Sequence, residues 1–204
     1  MGQASIIYAN REIEGERLEL TDKNSNYYLG PNLTLRHCTV VLRVSARWLH
    51  LLPTRFIDSS FQVKQELKNH QDWLSVSLKG CRFTGRLSGC DFGRWPQWSD
   101  DWEHGAIEDC DFSEARLDGC RFHGCDIRTL RFPSWPCFTF LEPLRHAPTL
   151  NSVQWPGRFG HVIIEAFPEE TPPSTRALTH GGGALPVAGD APGWDGGALH
   201  GEGT

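Results

Sequence analysis

Large apolar residues recur at every fifth position between residues 105 and 134. Written in fives, the segment reads GAIED, CDFSE, ARLDG, CRFHG, CDIRT and LRFPS. The third position of each five is large and apolar: Ile107, Phe112, Leu117, Phe122, Ile127 and Phe132. The first position is small or apolar: Gly105, Cys110, Ala115, Cys120, Cys125 and Leu130. An amphipathic helix needs apolar residues three and four apart, and a flat strand needs strict alternation. The pattern instead predicts two inward side chains on a short extended segment, followed by a corner.

Four such segments would close one coil of about 20 residues, and successive coils would stack about 4.8 Å apart through strand hydrogen bonds. The third-position side chains would fill the axis, with the first-position side chains packed between them. Glycine at the fourth or fifth place of several fives (Gly80, Gly85, Gly119, Gly124) suits corners that need an unusual backbone conformation.

Further fives with interruptions occur upstream of residue 105. They add Phe56, Phe61, Leu78, Phe83 and Phe92 to the predicted core, together with the first-position cysteines Cys81 and Cys90. The fives LTLRH and CTVVL extend the pattern back to residue 33, which leaves enough chain for about four or five coils.

These residues resemble the pentapeptide-repeat family, whose consensus is Ala-Asp/Asn-Leu-x-x. Asp111 and Asp126 supply the acidic second position, whereas Arg82, Arg116, Arg121 and Arg131 depart from it. The resemblance implies an all-β fold, a right-handed quadrilateral β-helix. We expect an N-terminal strand or cap at 1–32, the β-helix at 33–134, a non-repeat C-terminal cap at 135–167 and a disordered tail at 168–204. The tail is rich in glycine and cannot bury enough apolar surface to offset its ordering entropy.

The seven cysteines do not form a metal-binding or disulfide pattern. Six occupy the first position of a five, namely Cys38, Cys81, Cys90, Cys110, Cys120 and Cys125, where free cysteine acts as a small hydrophobe. No Cys-x-x-Cys pair is present, and none of the nine histidines belongs to a zinc motif. His123 follows the inward Phe122 and is therefore expected to point outward. The chain also lacks nucleophile-elbow, P-loop and dinucleotide motifs. We predict neither a metal, nor a cofactor, nor enzymatic activity.

The segment GRWPQWSDDWEHG (93–105) is the main candidate for a functional site. It combines tryptophan with acidic side chains: Trp95, Trp98, Asp100, Asp101, Trp102 and Glu103. Exposed aromatic residues beside charges are typical of protein interfaces, so the segment predicts a partner-binding loop. Two alternatives stay open: the indoles fold back over the β-helix wall, or the segment hides degenerate fives.

Charge and hydropathy narrow the function classes. The net charge of −5 is distributed as +1 over residues 1–53, −2 over 54–132 and −4 over 133–204. The sequence has no basic stripe and no apolar run long enough for a membrane span, so we expect neither direct nucleic-acid nor membrane binding. With no secretory signal at the N-terminus, the cytoplasm is the expected compartment.

The preferred hypothesis is a rigid, non-catalytic scaffold that binds a protein partner, with a role in immunity or regulation. The family resemblance implies an alternative, a DNA-mimicking protector of a type II topoisomerase, and an enzyme is the least favoured reading. The open ends of a β-helix suggest either a monomer or an end-to-end homodimer.

Overall fold

The computed structural model of the 204-residue chain describes residues 4–95, 103–134, 137–152 and 173–180. In chain order the strands are β1 (Ala4–Tyr8), β2 (Arg11–Glu14), β3 (Arg17–Leu20), β4 (Ser25–Leu29), β5 (Leu33–Arg36), β6 (Thr39–Leu42), β7 (Leu49–Leu51), β8 (Thr54–Ile57), β9 (Ser60–Lys68), β10 (Val76–Lys79), β11 (Arg82–Ser88), β12 (Asp91–Gly93), β13 (Ile107–Glu108), β14 (Asp111–Asp118), β15 (Arg121–His123), β16 (Phe138–Leu141) and β17 (Thr175–His180). One α-helix, α1 (Pro143–Ser152), and short 3₁₀ helices at Ala46–Trp48, Asp72–Ser75 and Ile127–Thr129 complete the described elements.

The strands stack in parallel as a β-solenoid of about four turns. The first sheet contains β1, β4 and β7. The second contains β2, β5, β8, β10 and β13, and the third contains β3, β6, β9, β11 and β14. The fourth contains β12, β15, β17 and β16, in that order. From β1 to β15 consecutive strands lie in different sheets, so the strands of each sheet come from successive coils.

The coils are slightly longer than the four fives that the sequence pattern predicts. Leu33 pairs with Thr54, and Thr54 pairs with Val76, so these coils exceed four fives by one residue and by two. The stack also begins earlier than residue 33, because Ala4 pairs with Ser25 and Arg11 pairs with Leu33. Residues 4–24 are therefore the first coil and residues 25–32 begin the second, so the described part of the predicted N-terminal strand or cap belongs to the solenoid itself.

Aromatic rings stacked along the axis form the centre of the core. The ring of Phe83 lies 4.6 Å from that of Phe61 and 4.5 Å from that of Phe112, nearly parallel to both. Phe92 and Phe122 stack in the same way at 5.1 Å. Trp73, which the five-residue pattern does not identify, is fully buried beside Phe92.

Most of the predicted core residues are buried. These are Phe56, Phe61, Leu78, Cys81, Phe83, Cys90, Phe92, Ile107, Cys110, Phe112, Leu117, Cys120 and Phe122. The remaining three predicted core residues, Cys125, Ile127 and Phe132, pack against the core and are partly buried. They belong to the last coil, where Ile127–Thr129 form a 3₁₀ helix instead of the predicted extended side.

Two coils lie in close contact at Gly85. Its φ of 95° lies in the left-handed region, and a Cβ atom there would lie 2.0 Å from the carbonyl oxygen of Val63. The strand register shifts between Gly85 and Leu87, where β11 pairs with β9. Glycine is therefore required at this position both by backbone conformation and by space.

The C-terminal cap differs from the predicted division of the chain. β17 pairs antiparallel with both β15 and β16, and Ala177 and Thr179 on β17 are buried. Residues 175–180 were assigned to the disordered tail, and for them that prediction is wrong. β16 and α1 lie in the predicted cap segment, whereas residues 153–172 and 181–204 fall outside the described residues.

Candidate functional site

The tryptophan-rich segment is an insertion within one coil. Leu78 pairs with Phe56 in the coil before it and with Ile107 in the coil after it. From the positions of these three residues, the coil that contains the segment is seven residues longer than the one before it. Since Phe92 and Ile107 occupy core positions of successive sides, the added residues lie between them.

The described N-terminal end of the insertion is fastened to the solenoid wall. The ring of Trp95 meets that of His123 edge-on at 5.0 Å, and the Arg94 backbone N–H donates to the His123 carbonyl oxygen at 3.0 Å. Trp95 is partly buried, which matches the alternative in which an indole folds back over the wall.

The C-terminal end is fastened to a different coil. Glu103 forms an ion pair with Arg55 on β8 at 3.1 Å. Gly105, which follows closely in the chain, is buried with a φ of 88°. The remaining residues of the predicted loop, Trp98, Asp100, Asp101 and Trp102, lie outside the described residues.

A buried polar cluster lies directly beneath Trp95. The guanidinium of Arg121 donates two hydrogen bonds to the Asp91 carboxylate, at 2.6 and 2.8 Å. His123 Nε2 lies 3.4 Å from Asp91 Oδ1. Asp91 is 1% exposed and His123 is 0% exposed. The sequence predicts that His123 points outward; its side chain does lie on the face of β15 opposite Phe122, but Trp95 and the cap cover that face, so His123 is buried.

Two hydroxyl groups from the cap complete the cluster. The hydroxyl oxygens of Thr175 and Ser174 lie 3.2 and 3.3 Å from His123 Nδ1. These partners favour the tautomer in which Nε2–H donates to Asp91 and Nδ1 accepts from a hydroxyl. Burial raises the pKa of Asp91, but the hydrogen bonds from His123 and Arg121 and their charges outweigh it, so that the pKa is lowered.

The order hydroxyl, imidazole, carboxylate also occurs in nucleophilic catalysis, but here its geometry suits a structural role. A nucleophile must meet its substrate, and Thr175 is only 2% exposed. The partly buried Ser174 shares its histidine nitrogen with Thr175. The cluster joins three segments distant in sequence, and so it fastens the cap to the last coils.

Comparison with known families agrees with this architecture. A family model described as Pentapeptide repeats (8 copies) matches residues 107–129. This span lies within the unbroken fives of residues 105–134 and within the stacked coils. The chain therefore contains pentapeptide repeats. No curated protein matches the chain.

In this pentapeptide-repeat protein the cysteines serve as packing residues. All seven are free thiols, and they are buried except for the partly buried Cys125. Cys81 and Cys110 lie in adjacent coils, and the neighbouring thiol together with burial raises the pKa of Cys110. Burial and the thiol of Cys90 raise the pKa of Cys120 in the same way. Burial is common to these thiols, and a buried free cysteine acts as a small hydrophobe.

A shallow groove of about 430 Å³ lies on another side of the solenoid. Its lining includes His50, Lys68, His70 and Asp72. The Asp72 carboxylate already accepts a hydrogen bond from the Leu51 backbone N–H at 3.0 Å, so it helps to hold the coil. Across the described parts of the chain, no group of three or more potential metal ligands comes together. None of the helices described there has the length and apolar character to cross a bilayer.

Proposed function

We propose that this pentapeptide-repeat protein is a non-catalytic scaffold that presents the 93–105 insertion to a protein partner. The observation that carries the proposal is the anchoring of both described ends of the insertion to the solenoid. Trp95 packs on His123, and Glu103 pairs with Arg55 in another coil. A segment fixed at both ends on a rigid wall loses less conformational entropy on binding than a free loop does.

The chemistry of the described residues supports binding over catalysis. The polar cluster of Asp91, Arg121 and His123 is engaged in holding the cap, and the cysteines fill the core. The insertion adds three tryptophans and three acidic residues, a composition suited to the core and rim of an interface.

Substitution in the insertion tests this proposal. Immobilised wild-type protein is compared with the variant Trp98→Ala/Trp102→Ala for capture of proteins from native lysate. The variant Trp48→Ala is the matched control, since it removes a partly buried indole near the 3₁₀ helix Ala46–Trp48. Circular dichroism establishes that all three proteins keep the same β content. A partner lost only from the double variant supports the proposal, and one captured equally by all three refutes it.

The topoisomerase alternative receives less support from the surface charge. Residues 4–95 carry 13 basic and 9 acidic side chains, and residues 103–134 carry 4 and 7. The stacked coils therefore have no uniformly acidic surface of the kind that mimics DNA. Gyrase supercoiling that is unchanged by the pure protein, with and without a topoisomerase poison, would exclude this alternative.

A further inference from the structure

Four cationic side chains form a single column on the outer face of the third sheet. They follow four positions that share one register: Leu42, Val63, Gly85 and Ala115. The residue that directly follows each of these positions in the chain is basic: Arg43, Lys64, Arg86 and Arg116. Arg86 and Arg116 are direct partners in the β11–β14 pairing. We call these four residues the cation column.

All four side chains of the cation column are exposed. Among the residues that the structure describes, none of the four forms an ion pair or a side-chain hydrogen bond. The neighbouring carboxylates have other partners. Glu114 pairs with Arg82, and Glu66 accepts from the Ser88 hydroxyl at 2.7 Å and lies 3.4 Å from the Lys68 ammonium.

Arg86 makes only a minor contribution to the lowered pKa of Glu66. The pKa of Glu66 is lowered mainly by the hydrogen bond from Ser88, with smaller contributions from Lys68 and Arg86. Three carboxylates, Glu66, Glu114 and Asp118, lie beside the four cations, and two of them already pair with Lys68 and Arg82, so the column keeps an excess of positive charge.

Like charges stacked on neighbouring strands destabilise a sheet. The strand spacing of about 4.8 Å is well inside the Debye length of about 10 Å at 0.1 M salt, so the charges repel one another. The close contact of Gly85 with Val63 keeps the two coils of Arg86 and Lys64 at this spacing. A bound chain of negative charges would remove this cost.

We infer that the cation column binds an extended, acidic segment of a protein partner. The column spans three strand spacings, or about 14 Å. An extended peptide presents every second side chain on one face at intervals of roughly 6.6 to 6.8 Å, so three acidic residues on that face match its length. Three of the four cations are arginines, whose planar guanidinium suits two-point pairing with a carboxylate. This inference rests on the proposed scaffold function and names the chemistry of the partner.

The residues beside the column favour an acidic peptide over a nucleic acid. Single-stranded nucleic acids bind to positively charged grooves that also offer aromatic side chains for base stacking. On one side of the cation column the same face of the sheet carries Val41, Gln62, Thr84 and Glu114, and on the other side it includes Lys68, Ser88 and Asp118. None of these is aromatic.

Fluorescence anisotropy with a labelled peptide of alternating glutamate and serine tests the inference at low and at high salt. The column variant is Lys64→Ala/Arg86→Ala/Arg116→Ala. The control variant, Arg36→Ala/Lys79→Ala/Arg128→Ala, removes the same charge from positions outside the third sheet. Loss of three exposed ion pairs should weaken binding to the column variant about tenfold. Binding to the control should stay within about twofold of wild type, and salt should weaken both the wild-type and the control complex.

Three outcomes would overturn the inference. In the first, the peptide does not bind at low salt. In the second, the column variant and the control variant lose the same affinity, which would mean that only net charge matters. In the third, single-stranded oligothymidylate of equal charge binds more tightly than the peptide and depends on the same residues. The column variant should fold, because its substitutions relieve repulsion at exposed sites. Each of these results is independent of the Trp98→Ala/Trp102→Ala experiment, whose variant keeps the whole cation column, so failure of the inference and failure of the scaffold proposal remain distinguishable.

Discussion

Lowering the pH from 7 to 4 should destabilise this solenoid through one buried histidine. His70 is 4% exposed and lies edge-on to Trp73, with 5.9 Å between the ring centroids. Among the described residues its Nε2 has no hydrogen-bond partner. Burial lowers its pKa from 6.5 to about 4, with an opposing effect of the Asp72 carboxylate and a small further lowering by His50.

The direction of the effect follows from the lowered pKa in the folded state. Above pH 6.5 His70 is neutral in both the folded and the unfolded chain, so its protonation does not change the free energy of unfolding. As the pH falls from 6.5 to 4, the unfolded chain takes up a proton that the folded chain does not, so the free energy of unfolding decreases. A difference of 6.5 against about 4 corresponds to about 3 kcal/mol.

Urea unfolding followed by tryptophan fluorescence at pH 7 and at pH 4 measures this loss. The variant His70→Phe keeps a ring against Trp73 but cannot titrate, so it should lose about 3 kcal/mol less than wild type between the two pH values. The variant His146→Phe is the control, because this exposed histidine on α1 lies outside the core. Equal losses in wild type and His70→Phe would refute the assignment to His70.

Three further predictions concern the coil contact, the cap and the cation column. Gly85→Ala should lower the free energy of unfolding clearly more than Gly119→Ala, which should cost about 1–2 kcal/mol for its left-handed backbone alone; equal costs in urea unfolding would contradict the steric reading. Asp91→Asn should lower the free energy of unfolding by about 3 kcal/mol, because it removes a charge from the buried cluster around His123, and it should speed proteolysis within β17. An unchanged Tm would show that the cluster does not hold the cap. Arg86→Thr should raise the free energy of unfolding by about 0.5 kcal/mol at low salt and by nothing at high salt; a loss of stability in circular-dichroism melts would contradict repulsion along the column.

The five-residue period predicted the core because it records which side chains can point inward. Phe112 and Phe122 follow this rule, and both are fully buried. The rule fails where the coil is not made of regular sides. The 3₁₀ helix Asp72–Ser75 brings Trp73 into the core, although no five points to it. A 3₁₀ turn changes the direction of side chains, so the period alone could not identify this residue.

The sequence did not predict the buried polar cluster, and the reason is different. Alternation placed Phe122 inward and His123 outward, and His123 does point to the other side of β15. That side is buried nonetheless, because Trp95 and the hydroxyls of residues 174 and 175 cover it. The burial of His123 depends on which distant segments pack against β15, and the sequence of β15 itself does not indicate them.

The cation column shows how a solenoid converts long sequence separations into a continuous surface. Each of its four members comes from a different coil, so no stretch of the sequence is strongly basic. Net charges summed over long segments suggested that no basic stripe exists, yet stacking places the four side chains in one row. In a solenoid, surface charge has to be compared between residues one coil apart. The longest interval in the column, from Arg86 to Arg116, belongs to the coil that carries the insertion, and for that reason a fixed period would also miss Arg116.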